Sequence, residues 1–541
     1  MTDPQDATTL RPNAQADDHA GHKGLSSAVR VISSLTLVSR IAGLARDIVT
    51  ARIVGDSALG SAFMAAWAIP NLFRRLFGEG ALAAAFLPEY TRATRDDGET
   101  ADRFATLTVL MLALVTGGLL LVGEAVLLAF LVLAPPDPDR ALSLRLMMLM
   151  LPYMPLVCVA AILGGMLQAH GRFGPTAAAP VLLNVFVITA GVPHFFVRDA
   201  DPVRTAYFIG IAAVLAGAAQ VAWSLWALRG RVAWRRGFAR AAAPARRMMR
   251  KFLPVVVGMG TIQLNSLIDT LIAMWPVWLG PTVLGMAYPL DPASNSVLAY
   301  TQRLYQFPLG VFGIAVATAV FPMLARTSDD PHAFLATLRR GLRLSFFIGL
   351  PASLGLLLVR EPLTGVMYGG PGSAFSDEGV RRSAAVLLGY APGVWAYSLN
   401  HVVTRAFYAG GDTTTPMRVA IGVVGLNLLL NVTLIWPLGE AGLAWSTSIS
   451  ATVQLLVLIH LSKRLTHAPA FDGETLAACG RVLAASLVMA GLVWGVLLLI
   501  GSPESWSGRL ATVAVAVAIG GLAYPIAAAA LRCPELRWLV K

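Results

Sequence analysis

The sequence predicts an all-α polytopic membrane protein of about 14 transmembrane helices, with two six-helix lobes related by a pseudo-two-fold axis and two further C-terminal helices. Three observations predict it. Of the 541 residues, 56% are hydrophobic and 13% charged, with mean hydropathy +0.67, whereas a soluble domain carries roughly 25% charged residues. Apolar stretches of spanning length recur from end to end. Paired motifs appear in the same order in the two halves. The net charge of +12 lies in short loops between apolar runs, which is the pattern of membrane topology and not of nucleic-acid binding.

Residues 1–28 are polar and lack the apolar core of a signal peptide, so they are expected to form a disordered cytoplasmic tail, with His19 and His22 as solvated side chains. Apolar stretches follow at 29–53, 61–89, 104–134, 143–169, 176–197, 204–228, 252–279, 293–325, 337–359, 380–408, 415–436, 440–462, 475–501 and 507–532, each near or above the ~20 residues a spanning helix needs. They divide into an N-lobe (29–228), a basic linker (229–251), a C-lobe (252–465) and an appended helix pair (466–541). Alternate loops carry the positive charge: Arg92, Arg95 and Arg103, then Arg172, the run Arg229–Lys251, Arg326 to Arg343, and Lys463 with Arg464. The positive-inside rule puts these loops, and both termini, in the cytoplasm.

The two halves echo each other. AAAFLPEYTR (83–92) matches TAVFPMLAR (318–326), and Tyr153-x-Pro155 before LQAHGRFGP (167–175) matches Tyr390-x-Pro392 before TRAFYAGGDTTTP (404–416). Two repeats around an axis along the membrane normal are a transporter architecture with the substrate site between them. The appended pair falls outside the duplication.

The chemistry lies in charge held at membrane depth, where each ionised side chain costs roughly 2.5 to 3.5 kcal/mol on insertion scales. The stretch from Ser61 to Tyr90 carries Arg74, Arg75 and Glu79, with Arg75 and Glu79 spaced to pair. The first span holds Arg40, Arg46, Asp47 and Arg52, with Arg40 and Asp47 on one face and Arg52 expected to snorkel. Later spans add Gln263, Asn265 and Asp269, then Gln302 and Arg303, then Asn400, His401 and Arg405. Cations outnumber carboxylates, so a chamber lined by Arg40, Arg46, Arg74, Arg75, Arg303 and Arg405 is suited to a phosphate or carboxylate. Asp47, Glu79, Asp269, Gln302 and Ser61 are the candidate gating and ion-pairing positions. Asp269 either binds a coupling cation or neutralises an arginine. Pro70, Gly78, Gly80, Pro308 and Gly310 interrupt spans two and eight at matching depths, as hinges or as points of close packing. Cys158, Cys479 and Cys533 lack metal or disulfide spacing. No cofactor or metal is expected, and a coupling ion cannot be read.

SRIAGLARDIVTARIVG (39–55), IPNLFRRLFGEGALAAAFLPEY (69–90), LQAHGRFGPTAAAPVLLN (167–184), RLYQFPLGVFG (303–313) and TRAFYAGGDTTTP (404–416) resemble the signatures of the MurJ/MviN family of lipid II flippases, in the multidrug/oligosaccharidyl-lipid/polysaccharide exporter superfamily. The resemblance implies a fourteen-helix bacterial inner-membrane protein that moves the undecaprenyl-pyrophosphate-linked peptidoglycan precursor to the periplasmic leaflet. It implies that Arg40, Arg46, Arg74, Arg75, Glu79 and Arg303 are cavity positions and that the appended pair forms a groove for the lipid tail. The expected partners are this precursor and membrane lipids, with cell-wall synthesis machinery as a further candidate and nucleic acid excluded; a monomer is expected. The chain departs from the family where it has Ser61 and Gln302 in place of common carboxylates, and Thr414 where a basic residue is common.

Other readings are a flippase for a different polyprenyl-linked saccharide and a cation-coupled drug exporter of the same superfamily. The latter calls for acidic and aromatic cavity residues and usually twelve spans. No nucleophile with its base, and no carboxylate pair, lies at a spacing that suggests an enzyme.

Overall fold

The computed structural model describes residues 34–35, 38–78, 81–466 and 468–540. The tail at 1–28, Glu79 and Gly80 lie outside them. Nearly every described residue is helical. Among the described residues, nine helices are long and apolar enough to cross a membrane. They are α4 (Gly98–Leu133), the joined pair α5 (Pro138–Met150) and α6 (Tyr153–Ala169), α7 (Gly174–Gly191), α8 (Pro202–Leu228), α13 (Pro331–Met367), α16 (Thr414–Leu438), α17 (Glu440–Thr466), α18 (Gly473–Ile500) and α19 (Trp506–Ala530).

Five more rods complete fourteen traverses among the described residues: α1 (38–54), α2 (Ala58–Phe73) with α3 (Ala81–Asp96), α9 (Ala242–Ala273), α11 (Ser294–Pro308) with α12 (Ile314–Arg326), and α14 (Asp377–Tyr390) with α15 (Val394–Ala409). These five are interrupted or carry polar side chains along a face. A helix of that kind cannot be bathed in lipid and has to line the protein interior.

The repeat inferred from sequence has a physical counterpart in where the helices break. A π-helical turn, Arg74–Gly78, joins α2 to α3, and another, Leu309–Gly313, follows α11. Each follows a proline, Pro70 or Pro308, which lacks the N–H that would close the preceding turn. The second matched pair breaks at Leu151–Pro152 between α5 and α6, and at the 3₁₀ turn Ala391–Gly393 before α15.

The chain from Arg229 to Ala241 is an ordered strap. Arg235 and Arg240 reach Glu99 at 3.3 and 3.1 Å, and the Ala233 N–H donates to Asp102 at 3.1 Å. Helix α9 then begins at Ala242, within the basic run.

The appended pair α18–α19 packs along α13 and is clamped there by the short helix α20 (Glu535–Val540). The Arg343 guanidinium, 10% exposed, donates to Glu535, 1% exposed, at 2.7 Å and to Glu474 at 2.9 Å. Arg340 and Arg343 both stack on Trp538. A buried ion pair is costly to break from one side because the other charge is left behind. Glu535→Ala is therefore expected to lower the stability of the purified protein by about 3 kcal/mol or more, seen as a lower thermal midpoint in detergent. The double change Arg343→Leu with Glu535→Ala should recover most of it.

Candidate functional site

The interior holds three adjoining cavities that share lining residues. The largest, about 510 Å³, lies in the N-lobe and is lined by Arg40, Arg46, Arg74, Tyr153, Asn184 and Gln220, with Arg303 entering from the C-lobe. A smaller one, about 180 Å³, lies in the C-lobe and is lined by Gln263, Asp269, Gln302, Tyr305, Tyr397 and Gln454, with Arg75 entering from the N-lobe. Between them a 60 Å³ cavity is walled by Trp67, Asn71, Arg75, Gln263, Gln302 and Arg303. Arg75 and Arg303 sit on corresponding helices of the two repeats, and each crosses to line the opposite lobe's cavity.

Each arginine in the N-lobe cavity has an identifiable support. Arg46 forms an ion pair with Asp47 at 2.7 Å, donates to Asn184 at 3.1 Å and stacks on Trp67. Arg303 approaches the other oxygen of Asp47 at 3.8 Å, so a single carboxylate is shared between two guanidinium groups from different lobes. Arg74 donates twice to Asn71, one turn back, at 3.1 and 2.9 Å. Arg40 is exposed at the cavity mouth, and its guanidinium lies over Gly310, where a β-carbon would come within 3.2 Å of it. The glycine in the second π turn thus leaves room for an arginine from the other lobe.

Several side chains stand elsewhere than expected from sequence. Asp47 pairs with its neighbour Arg46 and not with Arg40, because Arg40 turns towards the C-lobe. Arg75 donates to Gln263 at 3.3 Å; its pairing with Glu79 lies outside the described residues. Arg405 is absent from the lining of all three cavities and stacks on Phe321, so it supports the packing of α12 on α15. Arg52 donates to the Val366 carbonyl, to which the Trp506 indole also donates, and lies over that indole. Asp269 is buried and accepts from Asn431 at 2.7 Å, with no cation at ion-pair distance among the described residues, so the arginine-neutralising role is not the one it plays here.

Ser61 belongs to a seal rather than to a cavity. At the end of the molecule away from the basic loops, its Oγ accepts the Ser296 N–H at 3.0 Å and its carbonyl accepts from Asn295 at 2.9 Å, both at the start of α11. Ser296 Oγ donates to Gly55 O at 2.7 Å, Ala374 N–H donates to Arg52 O at 2.8 Å, and Asp56 accepts the Ser376 N–H at 2.6 Å. A serine serves here because its acceptor oxygen meets a backbone donor in close quarters. A β-carbon on Gly60 would strike Ser296. At the basic end the lobes meet where α3 packs on α9, with Arg247 donating to the buried Glu89 at 2.8 Å.

The sequence reading missed Asn71, Asn184, Gln220, Gln306, Gln454 and Asp56. The signal for the first five was available: each is an amide inside an otherwise apolar run. Asp56 lies in a short loop and offered no pattern.

The family model described as lipid II flippase MurJ matches residues 50–508. The chain belongs to the lipid II flippase MurJ family. It is 30% identical over 493 residues to the probable lipid II flippase MurJ of Vibrio cholerae, covering 86% of this chain and 90% of the relative. It is also 30% identical over 486 residues to the lipid II flippase MurJ of Burkholderia cenocepacia, covering 87% and 89%. A solved lipid II flippase MurJ in an inward closed conformation superposes with a TM-score of 0.75 at 22% identity, over 94% of this chain and 99% of that one. A multidrug resistance MATE family transporter in an inward-facing conformation gives 0.64 at 13% identity, over 81% and 98%. These two likenesses bear on the fold alone. The protein is accordingly a multi-pass membrane transporter of this family and not an enzyme.

The seal makes a direct prediction. Replacing Asp56 by Ala removes the acceptor that holds the start of α14. A cysteine placed at Ser296, buried in this state, should then react several-fold faster with a membrane-impermeant thiol reagent than the same cysteine beside an intact Asp56.

Proposed function

We propose that this chain is a flippase that moves the undecaprenyl-pyrophosphate-linked peptidoglycan precursor, lipid II, from the cytoplasmic to the periplasmic leaflet of the bacterial inner membrane. It would do so as a monomer, by alternating access, with both termini and the basic loops in the cytoplasm. The observation that carries this reading is the convergence of Arg40, Arg46, Arg74 and Arg303 on one cavity that has Asp47 as its carboxylate. Guanidinium groups match phosphate oxygens in geometry and charge, and an anion there would take the donor capacity that Asp47 leaves open. A drug exporter that binds organic cations would need the opposite balance.

In this mechanism the head group enters from the cytoplasmic side past Arg40, and its pyrophosphate displaces Asp47 as the partner of Arg303. The lipid tail stays in the bilayer along the appended helices α18 and α19. Losing the Arg303–Asp47 contact unties the lobes at the centre. The π turns at Arg74–Gly78 and Leu309–Gly313 then bend, the α3–α9 contact closes further, and the seal around Ser61, Asp56 and Ser376 parts. The membrane potential, negative inside, favours outward movement of an anionic head group by about 2.3 kcal/mol per charge per 100 mV. That drive does not require the carboxylates that Ser61 and Gln302 replace.

The test is growth of a bacterium depleted of its own lipid II flippase, with this chain or its Arg303→Ala or Arg75→Ala variant expressed at matched membrane levels. The wild type should rescue growth and both variants should fail. In a direct flipping assay Arg303→Ala should slow transfer by about tenfold or more, the loss of one charge-assisted hydrogen bond of roughly 1.5 to 3 kcal/mol. A well-inserted wild type that does not rescue would point instead to a different polyprenyl-linked saccharide.

A further inference from the structure

The cavity on the C-lobe side has a chemistry of its own. Four glutamines line it, Gln263, Gln302, Gln306 and Gln454, together with the hydroxyl of Ser450 and the rings of Tyr305 and Tyr397. Arg75, at the border with the central cavity, is committed to Gln263. The carboxylate of Asp269 in the wall would repel a phosphate. Two residues of this lining, Ser450 and Asn265, each carry a buried side-chain oxygen, Oγ and Oδ1, that has no hydrogen-bond partner among the described residues, although buried polar groups are almost always satisfied and leaving one bare is costly. The lining therefore offers many neutral donors and acceptors but little positive charge. Its 180 Å³ is comparable to a single sugar ring.

We infer that the C-lobe cavity binds the uncharged saccharide of the head group while the N-lobe cavity binds its pyrophosphate. This inference rests on the flippase reading above and assigns the substrate's two chemistries to two places. The cavities adjoin, the central one sharing Trp67, Asn71 and Arg303 with the N-lobe cavity and Gln302 and Gln263 with the C-lobe cavity, so one extended head group would reach from one lobe to the other. Release of both parts is then needed before the lobes can return to the cytoplasm-facing state.

The experiment is equilibrium binding by the full-length protein in nanodiscs, using undecaprenyl pyrophosphate and the same lipid carrying its disaccharide. The wild type is expected to bind the disaccharide-bearing lipid more tightly. The Gln306→Leu/Gln454→Leu variant should weaken binding of that lipid about tenfold, while its affinity for undecaprenyl pyrophosphate stays within about twofold; two neutral hydrogen bonds of roughly 0.5 to 1.5 kcal/mol each are lost. Ser450→Ala, a change of one atom, should give a smaller loss of the same selective kind and keeps the test open if the double variant does not fold. Equal weakening of both lipids, or an unchanged preference for the disaccharide, overturns the inference. A wild type that binds neither lipid overturns the flippase reading first and this inference with it.

Discussion

The carboxylate of Asp47, held by Arg46 in its own lobe and approached by Arg303 from the other, is the contact on which the rest of this architecture depends. Four arginines at membrane depth would each cost several kcal/mol in hydrocarbon, so the chain surrounds them with protein. The five traverses that are broken or polar are turned inwards, and nine apolar helices form the remainder of the bundle. One carboxylate shared by two guanidinium groups leaves an excess of positive charge. That excess is tolerable in a chamber that an anion can enter. It also makes the join between the lobes sensitive to that anion.

The exchange of arms between lobes follows from the duplication. Arg75 and Arg303 lie on equivalent helices, each near a π turn, and each lines the other lobe's cavity. Bending at either π turn changes the reach of an arginine and the angle of the helix beyond it together. A π turn suits this use because it already departs from the regular ladder and its glycines permit close approach, as Gly310 does beneath Arg40. At the far end the seal consists of short hydrogen bonds between backbone and small side chains, Ser61 and Ser296 among them. Such bonds are individually modest, about 1 kcal/mol each, and so can part and re-form. The buried clamp of Arg343 and Glu535 is of the other kind and keeps the appended helices attached to α13.

The fold was legible because membrane helices announce themselves by length and hydropathy. The repeat was legible because proline and glycine mark the same breaks in both halves. The cavity arginines were legible for the same reason that they are expensive: a charge inside an apolar run has to face something polar. Direction was harder to read. Spacing put Arg40 and Asp47 on one face, yet a helix face is wide, and tertiary packing sent Arg40 to Gly310 and left Asp47 to Arg46. The partners of Arg405 and Arg52, Phe321 and the Val366 carbonyl with Trp506, come from distant segments and cannot be read from spacing. Neutral amides such as Gln306 and Gln454 also interrupt apolar runs, but less sharply than a charge does, and they were passed over although they line the C-lobe cavity.

Recognition of pyrophosphate by the arginine chamber is the step on which the flippase reading turns. It is tested most directly in reconstituted vesicles by comparing the flipping rates of two fluorescent lipids with the same saccharide and polyprenyl chain, one joined by pyrophosphate and one by a single phosphate. The pyrophosphate lipid should be flipped at least several-fold faster, and the advantage should shrink when Arg46 and Arg303 are replaced by Gln. Equal rates for the two lipids, or an advantage that survives both replacements, would contradict it.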